Sequence, residues 1–236
     1  MRPRVYKVIS FVLFGFLYSY TAIGVLIVLI PGLFRVKSAV RLIIQYWAKS
    51  VFILMGKRFP VHGKENIDPV EKYILVANHA SLFDIVAIMS FYPKVAWFGH
   101  ERLLKIPIFG TLLKMTDYVA FTTPSYLNTK KMLDELVRKS GKQSVAIFPE
   151  GTRTLSGNIN EFYKGFIYLL RASGNGILPV TLNGFYQLKP KNRSYINFDS
   201  ELSVFVHKPI KREQLISKSD PEIIETVRNV IESAYK

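Results

Sequence analysis

The sequence contains no cysteine, which excludes disulfides, thiolate metal sites and a cysteine nucleophile together and leaves the redox compartment open. Histidine is also scarce, with four in the chain and none clustered with carboxylates, so a zinc site has no ligand set to point to. Acids are few, with 17 Asp and Glu against 32 Lys and Arg. The resulting formal charge of +15 calls for an anionic partner: nucleic acid, anionic lipid headgroups or a phosphorylated substrate. The basic residues are spread through the chain without a recognisable nucleic-acid module, and the apolar fraction of 49% favours lipid. Internal repeats and low-complexity linkers are lacking too. A chain of 236 residues then encloses one sizeable core rather than two.

What the chain does have is a long apolar run. Arg2, Arg4 and Lys7 precede an uncharged segment from Val8 to Phe34, followed by Arg35 and Lys37. Its length suits a bilayer, exceeds that of a secretory signal, and ends without a small-residue cleavage site. Basic residues at both ends favour the cytoplasmic face for both. Gly15, Ser19, Gly24 and Pro31-Gly32 offer bends, so the segment is expected to re-enter the face it left. Ser38 to Gly56 spaces Arg41, Gln45, Lys49 and Ser50 near a helical repeat, which suits an interfacial amphipathic helix or a helix packed on the domain core. Residues 1–56 are read as N-terminal membrane-binding helices, and 57–236 as an α/β domain.

From Lys57 strands and helices alternate, the pattern of an α/β fold with a mixed, largely parallel central sheet flanked by helices. Strands are expected at Phe59 to Val61, Tyr73 to Ala77, Val95 to Phe98, Tyr118 to Phe121, Ser144 to Phe148 and Ile177 to Leu182, with one or two more between Tyr195 and Val206. Helices are expected at Leu82 to Phe91, in a short stretch from Ile106, at Tyr126 to Lys139, Glu161 to Ala172, and from Asp220-Pro221 to Tyr235.

Two stretches carry chemistry. Asn78-His79-Ala80-Ser81-Leu82-Phe83-Asp84 sits where a strand hands over to a helix. Ser81-x-x-Asp84 is a capping-box pattern that starts a helix without any catalysis. The same carboxylate, bent back to accept the Nδ1 proton of His79, would leave Nε2 free as a base. Backbone N–H groups near Ser81 are candidates for holding an oxyanion. The second stretch is Phe148-Pro149-Glu150-Gly151-Thr152-Arg153, where Gly151 permits an unusual dihedral and Arg153 offers a fork for phosphate or carboxylate. A loop with a solvated Glu and Arg is the plain alternative. Both stretches end predicted strands, where open α/β sheets place ligands.

Together, Asn78-His79-x-Ser81-x-x-Asp84 and Phe148-Pro149-Glu150-Gly151-Thr152-Arg153 resemble the motif pair of the glycerolipid acyltransferases, particularly the 1-acylglycerol-3-phosphate acyltransferases. Ile106-Pro107-Ile108-Phe109-Gly110 resembles that family's intermediate block, Ile177-Leu178-Pro179-Val180 its fourth, and Lys164-Gly165 also fits. The resemblance implies acyl transfer from acyl-CoA or acyl carrier protein to the hydroxyl of a lysophospholipid at an anionic membrane surface. That transfer requires neither metal nor cofactor, and the flanking basic residues put the catalytic domain on the cytoplasmic face of the cell membrane. His79 would be the base and Asp84 its orienter, while Asn78, Ser81, Glu150, Gly151, Thr152 and Arg153 would bind substrate. A thioester is already activated, so direct transfer is expected over a covalent route through Ser81. One departure stands out. Aligned without gaps, Asp117 replaces the family's glycine and Thr122-Thr123 its Asp-Arg pair. A threonine cannot neutralise phosphate, so the charge would fall on Arg153, aided by Arg102, Lys105 or Lys130, or else the acceptor is another lysolipid. A non-catalytic basic protein on anionic lipid is the reading from another class.

Overall fold

The computed structural model of the chain describes residues 2–34, 36–106, 110, 113, 118–121 and 126–236. Pro107, Ile108 and Phe109 of the intermediate block, and Asp117, Thr122 and Thr123, lie outside the described residues.

Six strands, β1 (Val61–His62), β2 (Tyr73–Ala77), β3 (Val95–Ala96), β6 (Ser144–Ile147), β7 (Gly176–Asn183) and β8 (Ser203–Val206), form one sheet in the order β1-β8-β7-β2-β6-β3. The β7–β8 pair is antiparallel and the other neighbours are parallel, which gives the mixed, largely parallel sheet expected. Every residue of β2 and β6 is buried, the mark of strands covered on both faces. The strand period of two divides β2 between the layers. Tyr73, Leu75 and Ala77 join one apolar cluster, while Ile74 and Val76 join the other.

The first cluster is covered by α1 (Arg2–Leu33), α2 (Lys37–Leu54) and α3 (Phe83–Phe91), through Leu17, Val51, Phe52, Ala87 and Ile88. The second is covered by α4 (Tyr126–Ser140), α5 (Gly165–Ala172) and α7 (Asp220–Glu232), through Leu136, Phe166, Leu170 and Val227. The short helix α6 (Phe185–Leu188) follows β7, and a two-stranded parallel sheet pairs β4 (Phe98–His100) with β5 (Val119–Phe121).

Several expectations are corrected. The apolar run does not bend within itself. Gly15, Ser19 and Gly24 lie inside one continuous helix, and the reversal comes after Pro31-Gly32, where the Val36 N–H bonds the Pro31 carbonyl at 2.9 Å. A helical glycine costs only about 1 kcal/mol, and packing against α2 offsets it. The returning helix runs antiparallel, with Tyr20 bonded to Ser50 at 2.6 Å and Trp47 donating to Thr21 at 3.3 Å. The run expected at Val95 to Phe98 divides between two sheets and the first strand is Val61–His62, while the stretch from Tyr195 supplies one of the one or two strands expected, Ser203–Val206. The helix expected from Glu161 starts at Gly165, because the loop after β6 captures the preceding N–H groups: Asn160 donates to Glu150 at 2.8 Å and Tyr163 to the Pro149 carbonyl at 2.8 Å.

Candidate active site

The two motifs meet because their strands are neighbours. β2 pairs in parallel with β6 on one side and β7 on the other, so the turns after Ala77 and Ile147 leave the same edge of the sheet side by side. Asn78, buried, continues the β2–β7 ladder with its side chain. Its Nδ2 donates to the Leu182 carbonyl at 3.0 Å and its Oδ1 accepts the Leu182 N–H at 2.8 Å. A carboxamide thus stands in for a ladder rung and fixes the chain just before His79.

Asp84, in the first turn of α3, is wholly buried and folds back over that chain. Its Oδ2 lies 2.8 Å from His79 Nδ1 and also accepts the main-chain N–H groups of Ala80 at 2.6 Å and Ser81 at 2.8 Å. A carboxylate only accepts, so the shared proton sits on Nδ1 and leaves Nε2 with a lone pair. The His79 ring stacks on Phe148 at 4.0 Å between centroids and 11° between planes, and Phe148 stacks in turn on Trp97 at 5.8 Å. The loop after β6 grips both main-chain groups of His79, with Glu150 Oε1 accepting its N–H at 2.6 Å and Thr154 donating to its carbonyl at 2.9 Å. His79 is therefore held at its ring face, at Nδ1 and at both backbone groups.

The Acyltransferase family profile matches residues 58–183, more than half of the chain. The chain belongs to the acyltransferase family. It is 28% identical over 195 residues to the chloroplastic 1-acyl-sn-glycerol-3-phosphate acyltransferase of Brassica napus, covering 80% of this chain and 56% of that one. It is also 28% identical over 187 residues to the 1-acyl-sn-glycerol-3-phosphate acyltransferase of Pseudomonas aeruginosa, covering 75% and 72%. The chain spans about half the length of the plant relatives, 56% for Brassica napus and 53% for Arabidopsis thaliana. The crystal structure of the 1-acyl-sn-glycerophosphate acyltransferase of Thermotoga maritima shares the fold with a TM-score of 0.83, at 24% identity, over 96% of this chain and 95% of that one.

Within this member of the family the motif residues divide by what they touch. Both oxygens of Glu150, 2% exposed, accept main-chain N–H groups, from His79 and Asn160, so its carboxylate is spent on holding two turns together. The buried hydroxyl of Ser81 donates to the Lys189 carbonyl at 2.7 Å and accepts the Phe83 N–H at 3.3 Å. Of the N–H groups near Ser81, those of Ala80, Ser81 and Phe83 are already taken by Asp84 and Ser81. Gly151 adopts φ +66°, and a Cβ there would meet the Tyr163 ring at 3.2 Å. That turn delivers Thr152 exposed and Arg153 half-buried beside the His79 turn. Arg102, Lys105 and Lys130 are exposed.

Two features have no counterpart in the motif spacing. One is an apolar cavity of about 250 Å³ beside α3, lined by Gly24, Val28, Trp47, Val86, Met89 and Trp97 among others. The buried Trp97 N–H has no hydrogen-bond partner among the described residues. The other is Lys189, brought to the site by the Ser81 bond across 108 positions of sequence. Burial lowers its amine from the ordinary lysine range, and the charges of Arg153 and Arg193 push the same way. Only a contact map would have revealed either.

Proposed function

We propose that this acyltransferase moves a fatty acyl group from the thioester of acyl-CoA or acyl carrier protein to the free hydroxyl of 1-acylglycerol-3-phosphate, giving phosphatidate. The observation that carries this reading is the 2.8 Å contact between His79 Nδ1 and Asp84 Oδ2 in a buried turn. His79 Nε2 takes the hydroxyl proton as the alcohol oxygen attacks the thioester carbonyl. Asp84 steadies the imidazolium, the C–S bond breaks, and the departing thiolate takes that proton as the free thiol. Ser81 needs no covalent part, since its hydroxyl is committed to a carbonyl. Arg153 binds the acceptor's phosphate, and the apolar cavity beside α3 takes an acyl chain, whose burial there is favourable by about 0.8 kcal/mol per methylene.

The reaction takes place at a membrane surface, with residues 1–56 as the lipid-binding part and the domain on the cytoplasmic face. Support comes from α1, which anchors to the domain by one side and presents an apolar side outward. Ser10 accepts the Ile196 N–H at 2.9 Å, and Leu17 enters the core. Phe11, 82% exposed, and Val8, Val12, Tyr18 and Phe34 face out. A helix held to the domain along its length lies in one leaflet interface rather than crossing. The sequence departure at Thr122-Thr123 supports a second reading in which another lysolipid is the acceptor.

The test is thiol release by the purified full chain with one acyl donor and a panel of lysolipids. Release that needs both substrates and is strongest with lysophosphatidate is the expected result. Strongest release with a different lysolipid would establish the second reading, and salt-sensitive vesicle binding without release, indifferent to His79→Ala, would establish a non-catalytic lipid-binding protein.

A further inference from the structure

The phosphate of a lysophosphatidate carries between one and two negative charges near neutral pH, more than one arginine balances. By the motif resemblance, Thr123 stands where the family carries a second cation, so on the lysophosphatidate reading the charge comes from elsewhere in this chain. The strap that leaves β7 and α6 supplies it. Ser81, two residues beyond His79 in the same turn, donates to the main-chain carbonyl of Lys189 at 2.7 Å, which fixes where the strap passes. The loop that carries Arg153 is fixed to the same turn by Thr154, at 2.9 Å from the His79 carbonyl. Strap and loop also touch directly, through the Tyr186 hydroxyl on the Leu155 carbonyl at 2.8 Å and through Gly157, where a Cβ would meet the Tyr186 ring at 3.1 Å.

We propose that Lys189 is a second cation of the acceptor's phosphate site beside Arg153, its main chain held at the His79 turn by Ser81. This rests on the lysophosphatidate reading above. Three cations, Arg153, Lys189 and Arg193, gather here, and among the described residues no carboxylate forms an ion pair with any of them. Arg193 is occupied as scaffold: its guanidinium donates to the carbonyls of Gln187 and Tyr195 and lies over the Tyr195 ring at 5.1 Å. The Lys189 ammonium makes a long 3.4 Å bond to the Pro190 carbonyl and keeps donors to spare. Half-buried like charges repel, and the cost falls when an anion sits between them.

The same cations would suit a phosphate of the donor's CoA. Chemistry separates the two sources. In the acceptor the reacting hydroxyl and the phosphate ester stand on neighbouring carbons, whereas in acyl-CoA the pantetheine arm separates the thioester from every phosphate. A lysine whose main chain is tied two residues from His79 therefore suits the acceptor's phosphate rather than the donor's.

The experiment compares the full chain with Lys189→Ala and Lys189→Arg in two assays. In steady-state kinetics, Lys189→Ala raises the KM for lysophosphatidate about tenfold, the loss expected from one charged hydrogen bond, and Lys189→Arg recovers most of it. The ratio of turnover on lysophosphatidate to that on monoacylglycerol falls in step, while the KM for acyl-CoA and for acyl carrier protein holds. An unchanged lysophosphatidate KM overturns the proposal, and a KM that rises for acyl-CoA alone moves the site to the donor's phosphates and overturns it as well. In the second assay, glycerol 3-phosphate is titrated by NMR into the detergent-solubilised protein, and Lys189→Ala weakens its binding. Lysine-dependent binding without lysophosphatidate turnover would retain the anion site and reject the acceptor. Normal lysophosphatidate kinetics in Lys189→Ala would do the reverse. Should Lys189→Ala fold poorly by circular dichroism, Lys189→Gln keeps the stem and removes the charge.

Discussion

Glu150 holds the main-chain N–H of His79 at 2.6 Å with one carboxylate oxygen and that of Asn160 at 2.8 Å with the other, so one buried acid spans the His79 turn and the chain that leads to α5. Burial pushes its carboxyl up from 4.5 to about 7, opposed by those two N–H groups and by Arg228 and reinforced by Asp84. The folded protein therefore keeps a proton that the unfolded chain has already released, and stability falls as pH rises from about 4.5 to about 7. The full effect is about 3 kcal/mol at most. Denaturant unfolding of wild type and Glu150→Gln from pH 5 to pH 8 isolates it, because other carboxylates contribute equally to both. The wild type is expected to lose stability relative to the variant as pH rises, and parallel profiles would remove Glu150 as the cause.

The same geometry predicts an activity loss in Glu150→Gln without any contact to substrate. An amide has one acceptor atom, and its NH₂ would face one of the two N–H groups, leaving it unsatisfied. A looser His79 turn is expected to lower kcat about tenfold, with the KM for lysophosphatidate little changed. A variant that instead raised that KM at full kcat would place Glu150 on the acceptor.

His79→Ala removes the proposed base and Asp84→Asn the carboxylate that bonds its Nδ1. Each is expected to lower kcat between about a hundredfold and about ten-thousandfold, the usual range for a positioned acid or base. Asp84→Asn also replaces the charged acceptor that the Ala80 and Ser81 N–H groups share with a neutral amide and buries its NH₂ where Oδ1 has no partner, so it is expected to lower the melting temperature, whereas His79→Ala is not. Thiol release and thermal unfolding measured on the same preparations separate the two effects. Near-normal turnover in His79→Ala would end the general-base mechanism.

How much of this was readable from sequence depended on distance along the chain. Tyr73 to Ala77 announced itself as a strand because a run buried on both faces needs five apolar residues in a row, and the structure keeps those bounds. His79 and Asp84 lie five apart, close enough for local turn chemistry to suggest the contact. The tie between Asn78 and Leu182 spans 104 positions and that between Ser81 and Lys189 spans 108, and no local pattern encodes either. The start of α5 was misplaced for a related reason. Residues 161–164 have helical composition, but the N–H of Tyr163 is taken by Pro149 from the neighbouring loop. Of the bends expected at Gly15, Ser19, Gly24 and Pro31-Gly32, only the last coincides with the reversal, because glycine permits a break without demanding one and α2 lies along the helix through Thr21 and Tyr20.

The outward side of α1 predicts lipid binding that does not depend on the active site. Phe11 and Val12 are exposed and their side chains are not part of the core, so Phe11→Ser with Val12→Ser should leave the fold intact. Each change removes up to about 2 kcal/mol of burial in the interface. Co-sedimentation with anionic vesicles is expected to fall at least tenfold for the double variant, and activity on detergent-dispersed substrate to persist. Undiminished sedimentation would mean that a different surface meets the bilayer.

The cavity beside α3 predicts which acyl chains fit. Gly24 lines it from α1, and a Cβ at that position would lie 3.4 Å from Trp47, in ordinary contact rather than collision. Gly24→Leu therefore fills space without displacing a helix, and an added side chain shortens the room for a chain's end. Each methylene excluded from the cavity costs about 0.8 kcal/mol, or about fourfold in kcat/KM. Competition among acyl donors of graded length, with the products resolved by mass spectrometry, is expected to shift towards shorter chains in Gly24→Leu, while Gly15→Leu, at an open position on the same helix, leaves the distribution alone. An unchanged distribution in Gly24→Leu would show that the acyl chain binds outside this cavity.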